Sequence, residues 1–218
     1  MKSVIVTGGT VRLGAAIAEK LRKRGWRVIT TSHRADSGAD RIVDFTDANF
    51  SLDLEGVDAI VNNAALFRGE VADVLNVNLV APLKIVNAMA EKGGAVVNIL
   101  DSSILNRDGA LMDDKALMFF ADEANLHYLN SKSMFAREAM KVAREEGTKA
   151  RINFVAPGPV MAPEGVHEKA ATTPFGRPSA QAVAEAVAFL LEAESVTGVI
   201  VPVDGGAHLG NPGRDTDE

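Results

Sequence analysis

Short apolar runs and amphipathic segments alternate along most of this chain. Runs rich in Val and Ile predict buried strands, whereas apolar residues that recur every three or four positions predict helices with one buried face. The strands predicted in this way are 4–7, 26–32, 41–44, 57–62, 94–100, 150–156 and 199–203, and the helices are 15–24, 71–92, 127–146 and 180–194.

Single residues mark where several of these helices begin, bend or end. Gly25 and Gly147 stop two of them, and Ser179 is a residue type that caps a helix N-terminus. Pro82 lies inside 71–92 and predicts a kink or boundary, because proline has no backbone N–H to donate. Residues 45–56 are too few for a long crossover helix, so that connection should be trimmed.

The alternation of strands and helices predicts an α/β fold. Its most economical form is a Rossmann-type, doubly wound, mostly parallel sheet of seven strands in a single domain, 1–210, followed by a flexible polar tail, 211–218. Ligands of such sheets bind beyond the carboxyl ends of the strands. Candidate functional residues are therefore those that directly follow a strand.

A glycine-rich turn follows the first predicted strand. Gly8 and Gly9 can adopt positive φ and let the backbone approach a phosphate, which the N-terminus of the next helix would also attract. Arg12 replaces the middle glycine of the usual dinucleotide fingerprint, and Gly14 ends the turn. A nucleoside triphosphatase P-loop is excluded, because Ala15 and its neighbour stand where Lys and Ser or Thr are required.

Composition narrows the function classes. The 218 residues carry a net charge of −6 and no long basic block, which argues against a nucleic-acid surface. The N-terminus begins with a core strand rather than a signal peptide, and no apolar run is expected to approach membrane-spanning length. The expected compartment is the cytoplasm, with no membrane partner.

Several other kinds of site are excluded by residue type. The chain has no cysteine, so thiolate chemistry and Cys-ligated metals are absent, and its four histidines show no metal-ligand spacing with acids. No Gly-x-Ser-x-Gly elbow of an α/β-hydrolase occurs. No metal site is predicted.

Tyr128 and Lys132 form the strongest candidate pair for proton transfer. They are four residues apart on a predicted helix and therefore share one face, and Tyr128 is the only tyrosine of the chain. A nearby ammonium favours phenolate, so Lys132 is expected to pull the pKa of Tyr128 below its ordinary value of about 10. The phenol would then serve as a proton donor and acceptor.

Six motifs occur in an order that resembles the short-chain dehydrogenase/reductase family over roughly residues 2–210. They are Thr7-Gly8…Gly14, Asn62-Asn63-Ala64-Ala65, Asn78, Tyr128-xxx-Lys132, Pro157-Gly158 and Val203-Asp204-Gly205-Gly206. The resemblance implies that Tyr128 transfers the proton, that Lys132 binds the nicotinamide ribose, and that Asn78 holds a relay water. It also implies a substrate-orienting Ser after the fifth strand.

At that last position the chain has Asp101, followed by Ser102. Together with Arg12 and the pair His33-Arg34, this departure is similar to the pteridine reductases and dihydromonapterin reductases, one branch of the family. The resemblance implies that Asp101 relays a proton to a ring nitrogen and binds pterin amino groups, which suits C=N reduction. The alternative is that Asp101 is a capping or solvent-facing acid and that Ser102 orients a carbonyl.

The second strand bears on the cofactor. Acidic residues there bind the ribose 2′-hydroxyl of NAD, whereas arginine pairs with the 2′-phosphate of NADP. Arg34 supplies that cation, although Asp36 lies close, so NADPH is the expected cofactor. The cofactor residues implied by the resemblance are Gly8, Thr10, Arg12, Leu13, Gly14, His33, Arg34, Asp44, Phe45, Asn63, Ala64, Ala65, Tyr128, Lys132, Pro157, Gly158 and Val160.

Three questions remain open from the sequence. The segment 105–124 is an insertion that could form a lid, an oligomer contact or a helical excursion. Family members form dimers or tetramers, and the small face of Ala136, Ala139 and Ala143 suits either such a contact or packing within one chain. The function is expected to be pterin reduction; the alternatives are a general ketone or aldehyde reductase and a nucleotide-binding sensor or scaffold without turnover.

Overall fold

A computed structural model of the chain describes residues 1–122, 125–160 and 173–211. In this part of the chain seven strands form one sheet in the order β3-β2-β1-β4-β5-β6-β7, and every neighbouring pair is parallel. The strands are β1 (Ser3–Val6), β2 (Arg27–Ser32), β3 (Arg41–Ile42), β4 (Ala59–Asn62), β5 (Gly94–Ile99), β6 (Ala150–Pro157) and β7 (Ile200–Val203). The doubly wound α/β fold predicted from the sequence is confirmed.

Helices cover both faces of this sheet. The α-helices in the described residues are α1 (Arg12–Lys23), α2 (Val71–Leu75), α3 (Ala81–Lys92), α4 (Asp114–Phe120), α5 (Leu126–Arg144) and α6 (Ala180–Glu192). The Ser179 hydroxyl accepts the Ala182 N–H, so the predicted N-cap of α6 is confirmed. Residues 45–56 contain no helix, as their length predicts.

The alternation of side chains along each strand creates two cores. On β1, Ile5 packs into the core that α3 and α5 complete, whereas Val4 and Val6 face the core completed by α1 and α6. Burial on both faces explains why the central strands read as nearly continuous apolar runs. Packing on both faces holds the sheet rigid, and the carboxyl ends of its parallel strands all lie at one edge.

The predicted boundary at Pro82 separates two helical regions. Residues Asn76–Val80 form a π-turn between α2 and α3, and Pro82 lies in the first turn of α3. Proline cannot donate to the carbonyl four residues earlier, so the regular ladder is interrupted next to this position. The interruption places Asn78 inward, where it is fully buried.

The combined helical run Val71–Lys92 is long and apolar enough, by length and composition alone, to cross a membrane. The prediction that no apolar run approaches this length is therefore wrong. In the structure, Ile85, Val86 and Met89 of this run are buried in the core against the sheet. A core helix meets the same length and composition criteria, so this run is weak evidence for a membrane span.

The insertion 105–124 contains a packed helical excursion. A single antiparallel bridge joins Leu105 and Leu111, and α4 follows with Asp113 as its N-cap. Leu117 is fully buried, and Arg137 of α5 binds the side chain of Asp114 and the carbonyl of Met112. These contacts dock α4 on the helix that carries Tyr128.

The alanine face of α5 is used mostly within the chain. Ala136 and Ala139 are fully buried in the core, and Ala143 packs against it. The face is therefore explained without a second subunit. The predicted tail 211–218 lies outside the described residues after Asn211.

Candidate active site

The glycine turn and the loop after β4 lie side by side, where the strand order reverses between β1 and β4. The Thr7 hydroxyl accepts the N–H groups of Asn63 and Ala64 at 2.9 and 3.0 Å. The Asn63 side-chain amide donates to the carbonyls of Thr7 and Gly8 at 2.9 and 3.2 Å. These bonds fix two sequence motifs to one another at the switch point, which is where such sheets bind dinucleotides.

The turn leaves no room for side chains at its glycines. A Cβ on Gly14 would lie 2.0 Å from the Gly8 carbonyl oxygen, and a Cβ on Gly9 would lie 2.8 Å from the Val6 oxygen. Gly8 has φ +61°, a conformation that favours glycine. The result is a bare backbone cradle at the N-terminus of α1, which suits a pyrophosphate.

Gly14→Ala is expected to lower the free energy of unfolding by about 1–3 kcal/mol, because the new methyl group forces the turn apart. The matched control is Gly210→Ala, whose Cβ would meet nothing within 4 Å and whose effect should stay within about 0.5 kcal/mol. Urea unfolding of both variants measures the difference. Equal stabilities would contradict the tight contact between Gly14 and Gly8.

Arg12 is strained. It has φ +48°, and among the described residues it is the one non-glycine residue with positive φ. Such a conformation costs about 1–2 kcal/mol for a residue with a Cβ. Glycine would adopt this conformation without strain, whereas here an arginine with an exposed side chain holds it beside the glycine turn.

Arg34 follows β2 but is already paired. Its Nε and a terminal nitrogen donate to the two carboxylate oxygens of Asp36 at 3.1 and 2.9 Å. The loop is closed by Asp40, which accepts the N–H and hydroxyl of Thr30 at 2.7 and 2.8 Å. The sequence-predicted residues His33 and Arg34 therefore occupy a well-defined loop at the carboxyl end of β2.

The residues after β3 are occupied with local contacts. Asp44 accepts the backbone N–H and the hydroxyl of Thr46, and these hydrogen bonds hold the pKa of Asp44 below its ordinary value. The Phe45 side chain is buried and makes an edge-to-face contact with Phe50, with ring centroids 5.0 Å apart. Phe45 thus belongs to the core that α3 and α5 complete.

Asp101, Tyr128 and Lys132 meet at the carboxyl end of β5. The Tyr128 hydroxyl donates to Asp101 Oδ2 at 3.4 Å, while Asp101 Oδ1 accepts the Ser103 N–H at 2.9 Å and caps a short 3-10 turn. Lys132 is 3% exposed and donates to the Ile99 carbonyl at 2.9 Å. The insertion between Asp101 and Tyr128 therefore does not separate them.

The predicted direction of the Tyr128 pKa is wrong. Burial, followed by the charge of Asp101 and its hydrogen bond, raises the pKa of Tyr128 well above 10. Burial also lowers the pKa of Lys132 to about 8, against the opposing effect of Asp101. Burial therefore sets the direction of the pKa shift for both groups, and the Asp101 carboxylate adds to it for the phenol. Tyr128 keeps its proton through the neutral range.

Asn78 organises the loop after β4. Its side-chain oxygen accepts the Leu66 N–H at 2.9 Å, and its amide donates to the Leu66 carbonyl at 2.7 Å. The amide group assigned to a relay water by resemblance is therefore bound to the backbone. Its observed action is to hold the residues that follow the Asn62–Ala65 motif.

Phe67 is a site residue that the sequence analysis missed. Its ring lies 4.6 Å from the Tyr128 ring, and 48% of the residue is exposed. The Arg68 guanidinium lies 5.7 Å from the centroid of the Phe67 ring. The available signal was an aromatic residue just beyond a strand end and its Asn-Asn motif. Phe67 places a partly open aromatic face beside Tyr128.

The segment that follows β7 packs against the turn after β6 and the loop after β5. Asp204 accepts the N–H groups of Gly206 and His208 and the His208 ring nitrogen, and Gly158 packs against the Asp204 backbone and Cβ with no space for a Cβ of its own. Burial opposes ionisation of Asp204, but the His208 and Gly206 hydrogen bonds lower its pKa overall. The Asn211 amide donates to the Leu105 carbonyl at 2.6 Å. The segment after β7 therefore supports the loop that begins at Asp101.

The remaining candidates fall into two groups. Leu13 and Val160 pack against the core of α1 and α6, whereas Thr10 is half-buried and Ala65 is exposed. Residues 161–172 lie outside the described residues. Within residues 1–122, 125–160 and 173–211, no group of three or more His, Asp or Glu side chains could hold a metal ion.

The sequence of this chain is similar to that of known reductases. Residues 48–208 match the family model described as Enoyl-(Acyl carrier protein) reductase. The chain is 28% identical over 245 residues to Carbonyl reductase family member 4 of Xenopus tropicalis, covering 95% of this chain and 98% of that protein. It is 28% identical over 253 residues to 3-oxoacyl-[acyl-carrier-protein] reductase FabG of Vibrio cholerae, covering 95% of this chain and 98% of that protein.

The fold is shared with solved structures. The structure of FolM Alternative dihydrofolate reductase 1 from Brucella canis complexed with NADP matches with a TM-score of 0.74 at 24% identity, over 100% of this chain and 98% of that one. The homologous protein from Brucella suis, also in complex with NADP, matches with a TM-score of 0.72. At this identity the likeness shows the fold alone.

Proposed function

Since the chain belongs to the short-chain dehydrogenase/reductase family, we propose that it is an NADPH-dependent reductase of a pterin-like C=N bond. The observation that carries this proposal is the carboxylate of Asp101, whose Oδ2 accepts a hydrogen bond from the Tyr128 hydroxyl at 3.4 Å. A carboxylate and a phenol side by side form an acid–base pair suited to a nitrogen heterocycle rather than to a simple carbonyl.

The described residues fit a dinucleotide. The backbone cradle around Gly8 and Gly14 would hold the pyrophosphate, and its tight packing depends on glycine, since a Cβ at Gly14 would collide with the Gly8 carbonyl oxygen. Arg34 would hold the 2′-phosphate, and the buried ammonium of Lys132 would bind the nicotinamide ribose. When bound, NADPH supplies the hydride for the reduction.

Tyr128 would supply the proton. Its raised pKa keeps the phenol protonated across the neutral range, so the acid is loaded before substrate arrives. Proton transfer leaves a phenolate, which the ammonium of Lys132, one helical turn away, would stabilise. Asp101 holds the hydroxyl in place beforehand.

Asp101 and Phe67 favour a planar, amino-substituted substrate. An ionised carboxylate can only accept hydrogen bonds, so Asp101 would bind the N–H groups of an aminopyrimidine ring and would repel a carbonyl oxygen. The half-exposed ring of Phe67 offers a stacking surface beside Tyr128. The NADP-bound dihydrofolate reductase FolM, which has the same fold, is consistent with this substrate class.

A second candidate is a ketone or aldehyde reductase. It is favoured by the two curated relatives, whose names describe a carbonyl reductase and an oxoacyl reductase. In this alternative the buried Ser102 orients the carbonyl, and Asp101 serves only as the cap of the 3-10 turn.

NADPH oxidation with dihydrobiopterin, with dihydromonapterin and with a panel of ketones separates the two candidates. Asp101→Asn keeps the side-chain shape but removes the charge, and we expect it to lower kcat/KM for the pterin by about 10²-fold or more. Ser102→Ala is the matched control and should leave pterin turnover within about threefold. Ketone turnover that depends on Ser102, with no pterin turnover, would overturn the proposed substrate.

A further inference from the structure

The loop after β2 presents an arginine and an aspartate as one unit. Arg34 and Asp36 are joined by two hydrogen bonds, at 3.1 and 2.9 Å, and both side chains are mostly exposed. The Arg34 N–H donates to the Ser32 hydroxyl, and the Ser37 hydroxyl donates to the Arg34 carbonyl. The backbone around the pair is therefore held by its own loop.

Two further contacts fix this loop against the sheet. Asp40 closes it onto Thr30, and the hydrogen bonds with Thr30 lower the pKa of Asp40, so its carboxylate stays ionised at neutral pH. The Gly9 N–H donates to the Thr31 carbonyl at 3.1 Å, which joins the end of β2 to the glycine turn. The Arg34–Asp36 pair thus sits on the edge of the proposed cofactor site.

The two side chains have opposite preferences for the ribose 2′ position. A guanidinium binds a phosphate with paired hydrogen bonds, whereas a carboxylate accepts a hydrogen bond from a hydroxyl and repels a phosphate. In the pair, Arg34 is already neutralised, so a 2′-phosphate must compete with Asp36 for it. A 2′-hydroxyl has no such competitor and gains an acceptor.

We propose that Asp36 is a specificity-determining residue that competes for Arg34 and thereby allows the chain to bind both NADPH and NADH. This inference rests on the proposed function, because it concerns the same cofactor site. The residue acts on the ratio of the two affinities rather than on the chemical step. Exposed ion pairs contribute little free energy, so a 2′-phosphate can displace Asp36 from Arg34.

The test is equilibrium binding of NADP⁺ and NAD⁺ to the purified chain, measured by titration calorimetry. In Asp36→Asn we expect NADP⁺ to bind about fivefold more tightly and NAD⁺ no more tightly, so that the affinity ratio rises. Glu55→Gln is the control, because it changes the net charge equally at an exposed position before β4. Arg34→Met should lose NADP⁺ affinity and keep NAD⁺ affinity.

The outcomes separate the two proposals. An affinity ratio in Asp36→Asn that equals the ratio in Glu55→Gln, while Arg34→Met still weakens NADP⁺ binding, would overturn the role of Asp36 and leave the cofactor proposal standing. Wild-type protein that binds NADP⁺ and excludes NAD⁺ would also overturn dual acceptance. If the wild-type chain bound neither dinucleotide, the proposed function itself would be wrong.

Discussion

Tyr128→Phe is expected to lower kcat for NADPH-dependent reduction by about 10²–10⁴-fold, the range that a positioned general acid contributes. The chain has no second tyrosine to replace the lost phenol. The buried ring remains in place against Phe67, and the change removes one hydrogen bond of 3.4 Å to Asp101. The fold should therefore survive, with a change in unfolding free energy of about 1 kcal/mol or less.

The measurement is steady-state turnover on the best dihydropterin substrate, with NADP⁺ affinity and thermal unfolding recorded on the same samples. His127→Gln is the matched control, since His127 is the exposed neighbour on the same turn of α5. Turnover by Tyr128→Phe above a tenth of the wild-type value would show that another group supplies the proton.

Lys132→Met is expected to abolish most turnover and at the same time to stabilise the fold. Burial lowers the pKa of Lys132 from 10.5 to about 8, so at pH 7 the protein holds an ammonium in a pocket that disfavours charge. A shift of this size corresponds to about 3 kcal/mol of destabilisation of the folded state by the buried charge. Methionine removes this cost but also loses the hydrogen bond to the Ile99 carbonyl, which stabilises the wild type by about 1 kcal/mol. Methionine should thus raise the free energy of unfolding by about 2 kcal/mol at pH 7.

The effect of Lys132 on the free energy of unfolding should depend on pH. Between the folded pKa of about 8 and the unfolded value of 10.5, the unfolded chain binds more protons at Lys132 than the folded chain. The contribution of Lys132 to stability therefore rises with pH across this window, and it is least favourable below pH 8. Urea unfolding at pH 7 and at pH 10 should show the advantage of Lys132→Met shrinking. A methionine variant that is less stable than wild type at pH 7 would contradict the argument.

Local sequence signals predicted the framework of the molecule well. Apolar runs and their spacing identified all seven strands, and the signal is clearest for the buried strands β1, β4, β5 and β6, because a strand covered on both faces has little freedom in composition. Ser179 and Pro82 act through their own backbone neighbours, so their effects on α6 and α3 are readable from a few residues. The order of strand ends placed Asp101 at the carboxyl edge of the sheet, whereas Tyr128 was assigned to the site through its helical pairing with Lys132 and the family resemblance.

The electrostatics of the site could not be predicted in this way. The spacing of Tyr128 and Lys132 is a local property, whereas the pKa values of both depend on burial and on Asp101, which is distant in sequence. Phe67 was missed for a similar reason, since its role depends on which ring it meets. The contact of Asn78 with Leu66 likewise requires the π-turn that directs it inward.

The hydrogen bond from Asn211 to Leu105 has a consequence for how activity appears during protein synthesis. The loop that begins at Asp101 is supported by residues made about a hundred positions later, and Asp204 fastens that late segment to the turn at Gly158. A nascent chain could fold its first strands on the ribosome without possessing a supported site. The site loop therefore gains its full support only once the residues around Asn211 have been made and have packed against it.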